Sequence, residues 1–185
     1  MKTIQHFLYR YRVLLTLLAV LAILLMIFWF SSQTAEQSTE TSSTLTDFAV
    51  RLFFPQYDSM TRSERAVIRS RVTHYVRKAA HFSEFTLLGF FWTVHFTALF
   101  SEKKMPQLRH RLRYIMFCPF LCGILCAAAD EFRQKFSEGR SPEFRDFCID
   151  AAGVLTGILL MRLLAVLIAK VRKRKKSPEL SEKFG

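Results

Sequence analysis

The chain has 185 residues; 51% are hydrophobic and 19 are Phe, yet its formal net charge is +12. The two facts fit together if the apolar residues are blocked into membrane spans with the bases outside them, which argues against a soluble domain. A pI near 10 also suits nucleic acid, but the bases flank apolar runs and build no basic folded face, so no nucleic-acid partner is expected.

In chain order, Lys2, Arg10 and Arg12 precede Val13 to Phe30, eighteen uncharged residues that reach about 27 Å as a helix. A cleaved signal peptide would have a shorter apolar core and a small-residue cleavage site. Here the run ends in Phe28-Trp29-Phe30, an interfacial anchor, and reads as a retained span. Ser31 to Thr46 holds ten Ser or Thr in sixteen residues and reads as a solvated linker. A short apolar piece, Phe48 to Phe54, is closed by Pro55. Thr61-x-x-Glu64 is a capping-box pattern. Ile68, Val72, Tyr75 and Ala79 then repeat at helical spacing among arginines, which predicts an amphipathic helix lying on lipid and feeding the second span. Further spans are predicted at about 79–100, 114–136 and 147–169. Cys118, Cys122 and Cys126 recur every fourth residue in the third span and read, with Cys148, as small packing residues, because no metal or disulfide spacing is present.

The expected fold is therefore all-α: an antiparallel bundle of four transmembrane helices over residues 13–169, an outer segment 31–78 with an interfacial amphipathic helix, and a basic tail 170–185. Orientation follows from the positive-inside rule. The N-terminus, the 101–113 loop and the tail hold three, five and seven bases, whereas 130–146 holds four bases and five acids. Both termini are expected in the cytoplasm. The seven bases of the long 31–78 segment oppose this assignment, although long loops obey the rule weakly.

That topology puts the unusual polar residues at the outer ends of three spans. Arg77, His81, Glu84, Leu88, Trp92 and His95 fall within an arc of about 80° at 100° per residue. Glu131 and Gln134 are one turn apart on the third span, and Asp146, Asp150, Gly153 and Gly157 form one stripe on the fourth. The glycines permit close helix approach and would aim the two aspartates at the bundle interior. Each pair alone has a bland reading as a solvated helix end or a local salt bridge. Together, ionisable groups from three spans at one depth are costly in a membrane and point to a site. The expected binding set is Lys78, His81, Glu84, Glu131, Gln134, Arg140, Asp146 and Asp150. His81, Glu84, Glu131 and Asp146 are also the candidates for acid–base chemistry. Those four would suit a divalent metal, but no spacing demands one, and no metal or cofactor is expected. His95 reads equally well as a satisfied core residue, and Arg162 as a snorkelling one.

The residues resemble the VanZ-like membrane proteins, named for a teicoplanin-resistance protein. The matching pieces are FSSQ from Phe30, RKAAHFSEFTLLG from Arg77, DEFRQ from Asp130, Gly139-Arg140, and the D-x-x-x-D-x-x-G-x-x-x-G run from Asp146 to Gly157. They keep order and spacing across about residues 13–165. Asp150 departs from the pattern, where Asn is more usual. The resemblance implies a multi-pass protein of the bacterial cytoplasmic membrane, part of the cell envelope, with a link to antibiotic resistance through glycopeptide susceptibility. It supplies no reaction.

Three functions follow. The first is a non-enzymatic protein whose outer site binds an amphiphile, Lys78 and Arg140 holding an anionic head group and the Phe-rich spans a chain. The second is an enzyme acting on a lipid-linked envelope substrate, with His81 and Glu84 as base and orienter and Glu131 or Asp146 as acid. The third is an ion or proton path, for which the inner half offers only His95 and Arg162. Whether the chain is an enzyme, and its oligomeric state, stay open at this level.

Overall fold

A computed structural model describes residues 2–100, 107–136 and 143–183. The described residues are helical, in the order α1 (Lys2–Ser32), α2 (Ala35–Thr41), α3 (Ser43–Phe53), α4 (Arg62–Leu99), α5 (Leu108–Gln134) and α6 (Phe144–Lys183), with a short 3-10 turn at Tyr57–Ser59. Three helices contain stretches long and apolar enough to cross a membrane: Phe7–Ser32 in α1, His110–Gln134 in α5 and Phe144–Arg172 in α6. The expected second span, 79–100 in α4, is not among them, because His81, Ser83, Glu84 and His95 dilute its apolar residues.

α4 nevertheless lies alongside the others for its whole inner half. The Tyr9 hydroxyl donates to the Leu99 carbonyl at 2.9 Å, tying the start of α1 to the end of α4. One turn or two further in, Thr16 Oγ1 lies 3.1 Å from His95 Nδ1. His95 is thus a satisfied core residue. At the opposite end, the Ser31 hydroxyl donates to Asp130 Oδ2 at 2.6 Å, so α1 and α5 finish at the same level and run parallel.

Between these ends the core is Val20 and Ile27 of α1, Phe85 and Leu88 of α4, Ala127 of α5, and Val154 and Ile158 of α6. The outer faces are Leu-rich, with Leu14, Leu18, Leu21 and Leu25 exposed on α1 and Leu155, Leu159 and Leu163 on α6. In water such stripes would aggregate; against lipid tails they lose nothing, and the helices are held instead by close packing and hydrogen bonds. The α4–α6 seam supplies that packing. A Cβ on Gly153 would stand 2.6 Å from the Phe82 carbonyl oxygen, and one on Gly157 would meet the Thr86 carbonyl oxygen still more closely. Only hydrogen fits at those positions.

The segment before α4 departs from expectation. Ser31 to Thr46 is not an unstructured linker. Thr34 caps α2 through a reciprocal pair: Gln37 N–H donates to Thr34 Oγ1 at 3.2 Å, and Thr34 N–H donates to Gln37 Oε1 at 3.0 Å. That T-x-x-Q capping box lies in the low-complexity stretch and outweighs composition. The capping box at Thr61 forms as the sequence predicts, and bonds from the Thr61 hydroxyl and N–H hold the Glu64 carboxyl below its usual value. From there α4 runs without a break through 38 residues, about 57 Å. The expected surface-lying helix is therefore not separate from the second span. α3 is the amphipathic piece before α4: it buries Thr46 and Val50 and exposes Leu45, Phe48, Leu52 and Phe53. An ion pair between Asp47 and Arg69 fastens it to α4 and raises the Arg69 guanidinium above its usual value. At the other end, the basic tail continues α6 as helix to Lys183, since Lys and Arg are good helix formers.

Candidate functional site

At the end of the bundle where Ser31 meets Asp130, the sequence places polar side chains on four helix segments. α4 brings Lys78, His81 and Glu84 on successive turns of one face. α5 ends with Asp130, Glu131 and Gln134. α6 begins with Asp146 and Asp150, whose stripe is fixed inward by the glycine seam that follows it. Among the expected binding residues, Lys78, His81, Glu131, Gln134, Asp146 and Asp150 line one cavity of ≈ 230 Å³. Arg77, His74, Glu143 and Ile149 complete it. Glu84 sits behind the wall, its Oε2 3.9 Å from His81 Nδ1. Arg140 lies outside the described residues.

The charges in this cavity are not evenly matched. Lys78 is ion-paired to Asp146, with Glu143 Oε2 at 3.9 Å. It therefore has carboxylate partners already. Arg77 is half-buried; loss of water around it lowers the guanidinium from its usual value, opposed by the nearby Asp146. Glu131 Oε2 accepts from the Glu143 backbone N–H at 3.1 Å, which ties the start of α6 to the end of α5. Its other oxygen, Oε1, is enclosed and has no hydrogen-bond partner among the described residues. Asp150 is 2% exposed. Four acids, Glu131, Glu143, Asp146 and Asp150, thus face Arg77 and Lys78, with His74 and His81 beside them.

Asp130 was not in the expected set, and it is the hub of the hydrogen bonding. Its Oδ2 accepts from Ser31 Oγ at 2.6 Å and from Gln134 Nε2 at 2.8 Å, and Gln134 Nε2 also reaches Ser31 Oγ at 3.2 Å. Its Oδ1 faces Arg133 Nη2 at 3.3 Å, and the Arg133 guanidinium lies 4.7 Å from the centre of the Phe28 ring. Ser31, Asp130 and Gln134 are all buried. The signal was in the sequence: FSSQ and DEFRQ are polar islands at the ends of apolar runs, but nothing in either says that they touch.

Asp130 also separates two environments. On one side its carboxylate lies within 4.8 Å of ligand atoms of His81 and Asp150, which line the polar cavity. It is also part of the wall of a second hollow of ≈ 340 Å³ lined by Leu21, Leu25, Phe28, Phe85, Cys126 and Ala129. That hollow is an apolar groove between α1, α4 and α5. The cysteines of α5 are free thiols and half-buried.

The family model described as VanZ/LLP1 matches residues 16–165, which include every described residue named in this site. No match was found among curated proteins or among solved structures.

Proposed function

The chain belongs to the VanZ/LLP1 family and is a multi-pass membrane protein, and from that premise we propose that it is a four-span protein of the bacterial cytoplasmic membrane whose outward-facing site binds an envelope amphiphile. The fourth span is an argument of parity. α1 and α5 run parallel and end together at Ser31 and Asp130. If both cross the membrane, the chain must return between them, and among the described residues α4 is the helix there with the length to do so. Orientation rests on the bases: the end bearing the tail and the N-terminus is the more basic and belongs in the cytoplasm.

The observation that carries the binding proposal is the junction at Asp130, where a polar cavity adjoins an apolar groove. One amphiphile could place its head group in the first and its chain in the second. With Lys78 committed to Asp146, the acids outnumber the bases, and a head group carrying amine or hydroxyl donors suits the cavity better than an anionic one. Acylated glycopeptides of the teicoplanin type are the first class to test, and lowered susceptibility to them is the proposed consequence.

A second reading, acid–base chemistry on a lipid-linked substrate, is favoured by Glu131, whose enclosed Oε1 has no partner among the described residues. One experiment addresses both. Glu84→Gln, Glu131→Gln and Asp146→Asn are expressed in a susceptible strain and tested against teicoplanin and an unacylated glycopeptide, beside quantitation of folded protein. Loss of protection against the acylated drug at normal abundance is expected, with double variants little worse than single ones. Protection that simply follows abundance would mean that the cluster is scaffolding.

A further inference from the structure

We propose that His81, Asp130 and Asp150 bind one divalent transition-metal ion, Zn²⁺ or Mn²⁺. The three side chains come from α4, α5 and α6, and one potential ligand atom from each lies within 4.8 Å of the others. One imidazole nitrogen with two carboxylate oxygens is a donor set for such an ion, whereas oxygen donors alone would suit Mg²⁺ or Ca²⁺. A tetrahedral ion with bonds of about 2.1 Å wants its ligands about 3.4 Å apart, a contraction that side-chain rotation can supply.

Charge strengthens the case. Asp130 is 6% exposed and Asp150 is 2% exposed, and two carboxylates this close in a dry interior repel each other strongly. Arg77 lines the cavity too, on the side of Asp146, and the other described cations nearby are engaged. Lys78 is paired with Asp146, and Arg133 reaches only the Oδ1 side of Asp130. A divalent ion between the two aspartates would offset both charges at once.

A second observation points into the same place. Glu131 is 8% exposed, it lines the cavity with His81 and Asp150, and its Oε1 has no hydrogen-bond partner among the described residues. An acceptor kept dry without a donor is costly, and a cation is one of the few groups that would satisfy it. Glu131 is not one of the three clustered residues; it lines the cavity beside them. The surroundings of Asp130 also match what metal-binding carboxylates have. Ser31 and Gln134 both donate to Oδ2 and fix its orientation, while a carboxylate oxygen keeps a further lone pair for the ion. This site does not depend on the amphiphile reading.

The test uses full-length protein purified in detergent with its affinity tag removed, stripped with EDTA and titrated with Zn²⁺, Mn²⁺, Mg²⁺ and Ca²⁺ by calorimetry, with metal counted by elemental analysis. One Zn²⁺ or Mn²⁺ per chain is expected, with Mg²⁺ and Ca²⁺ at least tenfold weaker. His81→Gln and Asp150→Asn should each weaken binding tenfold or more, and His74→Ala, an exposed histidine of the same cavity, should leave it unchanged. Should Asp150→Asn fail to fold, His81→Gln decides alone. The absence of stoichiometric binding to folded wild-type protein, or binding unaltered in His81→Gln, would overturn the site. The amphiphile reading is checked separately by teicoplanin binding in EDTA, so either can fail without the other.

Discussion

Gly157→Ala is the sharpest test of the α4–α6 seam. A Cβ there would collide with the Thr86 carbonyl oxygen and crowd the Phe90 nitrogen. Both are backbone atoms of a continuous helix, so relief requires α6 to move bodily away from α4. Overpacking of this kind costs about 1–3 kcal/mol. Intrinsic propensity pulls the other way, since Ala is favoured over Gly by about 1 kcal/mol in a helix interior. The close approach should win, since both contacts are to backbone that cannot rotate aside, leaving a net loss of up to about 2 kcal/mol. Because Asp150 lies two turns before Gly157 on the same stripe, the displacement should also disturb the cavity. Reversible unfolding in detergent, followed by circular dichroism, measures the first effect, with Leu160→Ala on the lipid face as a control that should change stability far less. Equal or higher stability of Gly157→Ala would mean that propensity alone governs the position and that α4 and α6 do not pack as described.

Ser31→Ala removes the buried donor to Asp130 Oδ2. A loss of about 1–3 kcal/mol is expected in the same unfolding assay, and a change below about 0.5 kcal/mol would count against the Ser31–Asp130–Gln134 network. In cysteine-free protein, new cysteines at Thr39 and Lys135, both exposed, should label from outside intact cells, and one at Arg172 should not. Labelling of Arg172→Cys from outside would reverse the proposed orientation.

Much of this arrangement is legible in the chain because membranes impose simple rules. Apolar runs long enough to cross locate the apolar stretches of α1, α5 and α6, although α1 begins well before Val13 and α6 runs on well past Ala169. The D-x-x-x-D-x-x-G-x-x-x-G stripe predicts that α6 turns its aspartates inward, and the Gly153–Phe82 and Gly157–Thr86 approaches are the reason it does. Local patterns were harder to weigh. The Thr34 and Thr61 capping boxes are equally explicit, but the first is set in a run of Ser and Thr that reads as a linker. The continuity of α4 was also hidden. Its charged first half and apolar second half look like two elements, yet neither Pro nor an unpaired backbone group separates them, so helix simply propagates.

What the chain could not disclose is pairing across long separations. Ser31 and Asp130 are 99 positions apart, and each reads as an ordinary polar residue at the end of a span. Lys78 and Asp146 are 68 positions apart, and only packing makes them an ion pair. The consequence is general for helical membrane sites. Depth along the normal can be read from hydropathy, so residues of one level can be gathered in advance. Which of them neutralise each other depends on helix rotation, and rotation is set by the small-residue seams. Here the glycines of α4 and α6 fix it, and the result is a cavity whose acids exceed its available bases. On the proposed reading, that surplus of acids, more than any single residue, would favour ligand groups that bring hydrogen-bond donors or positive charge.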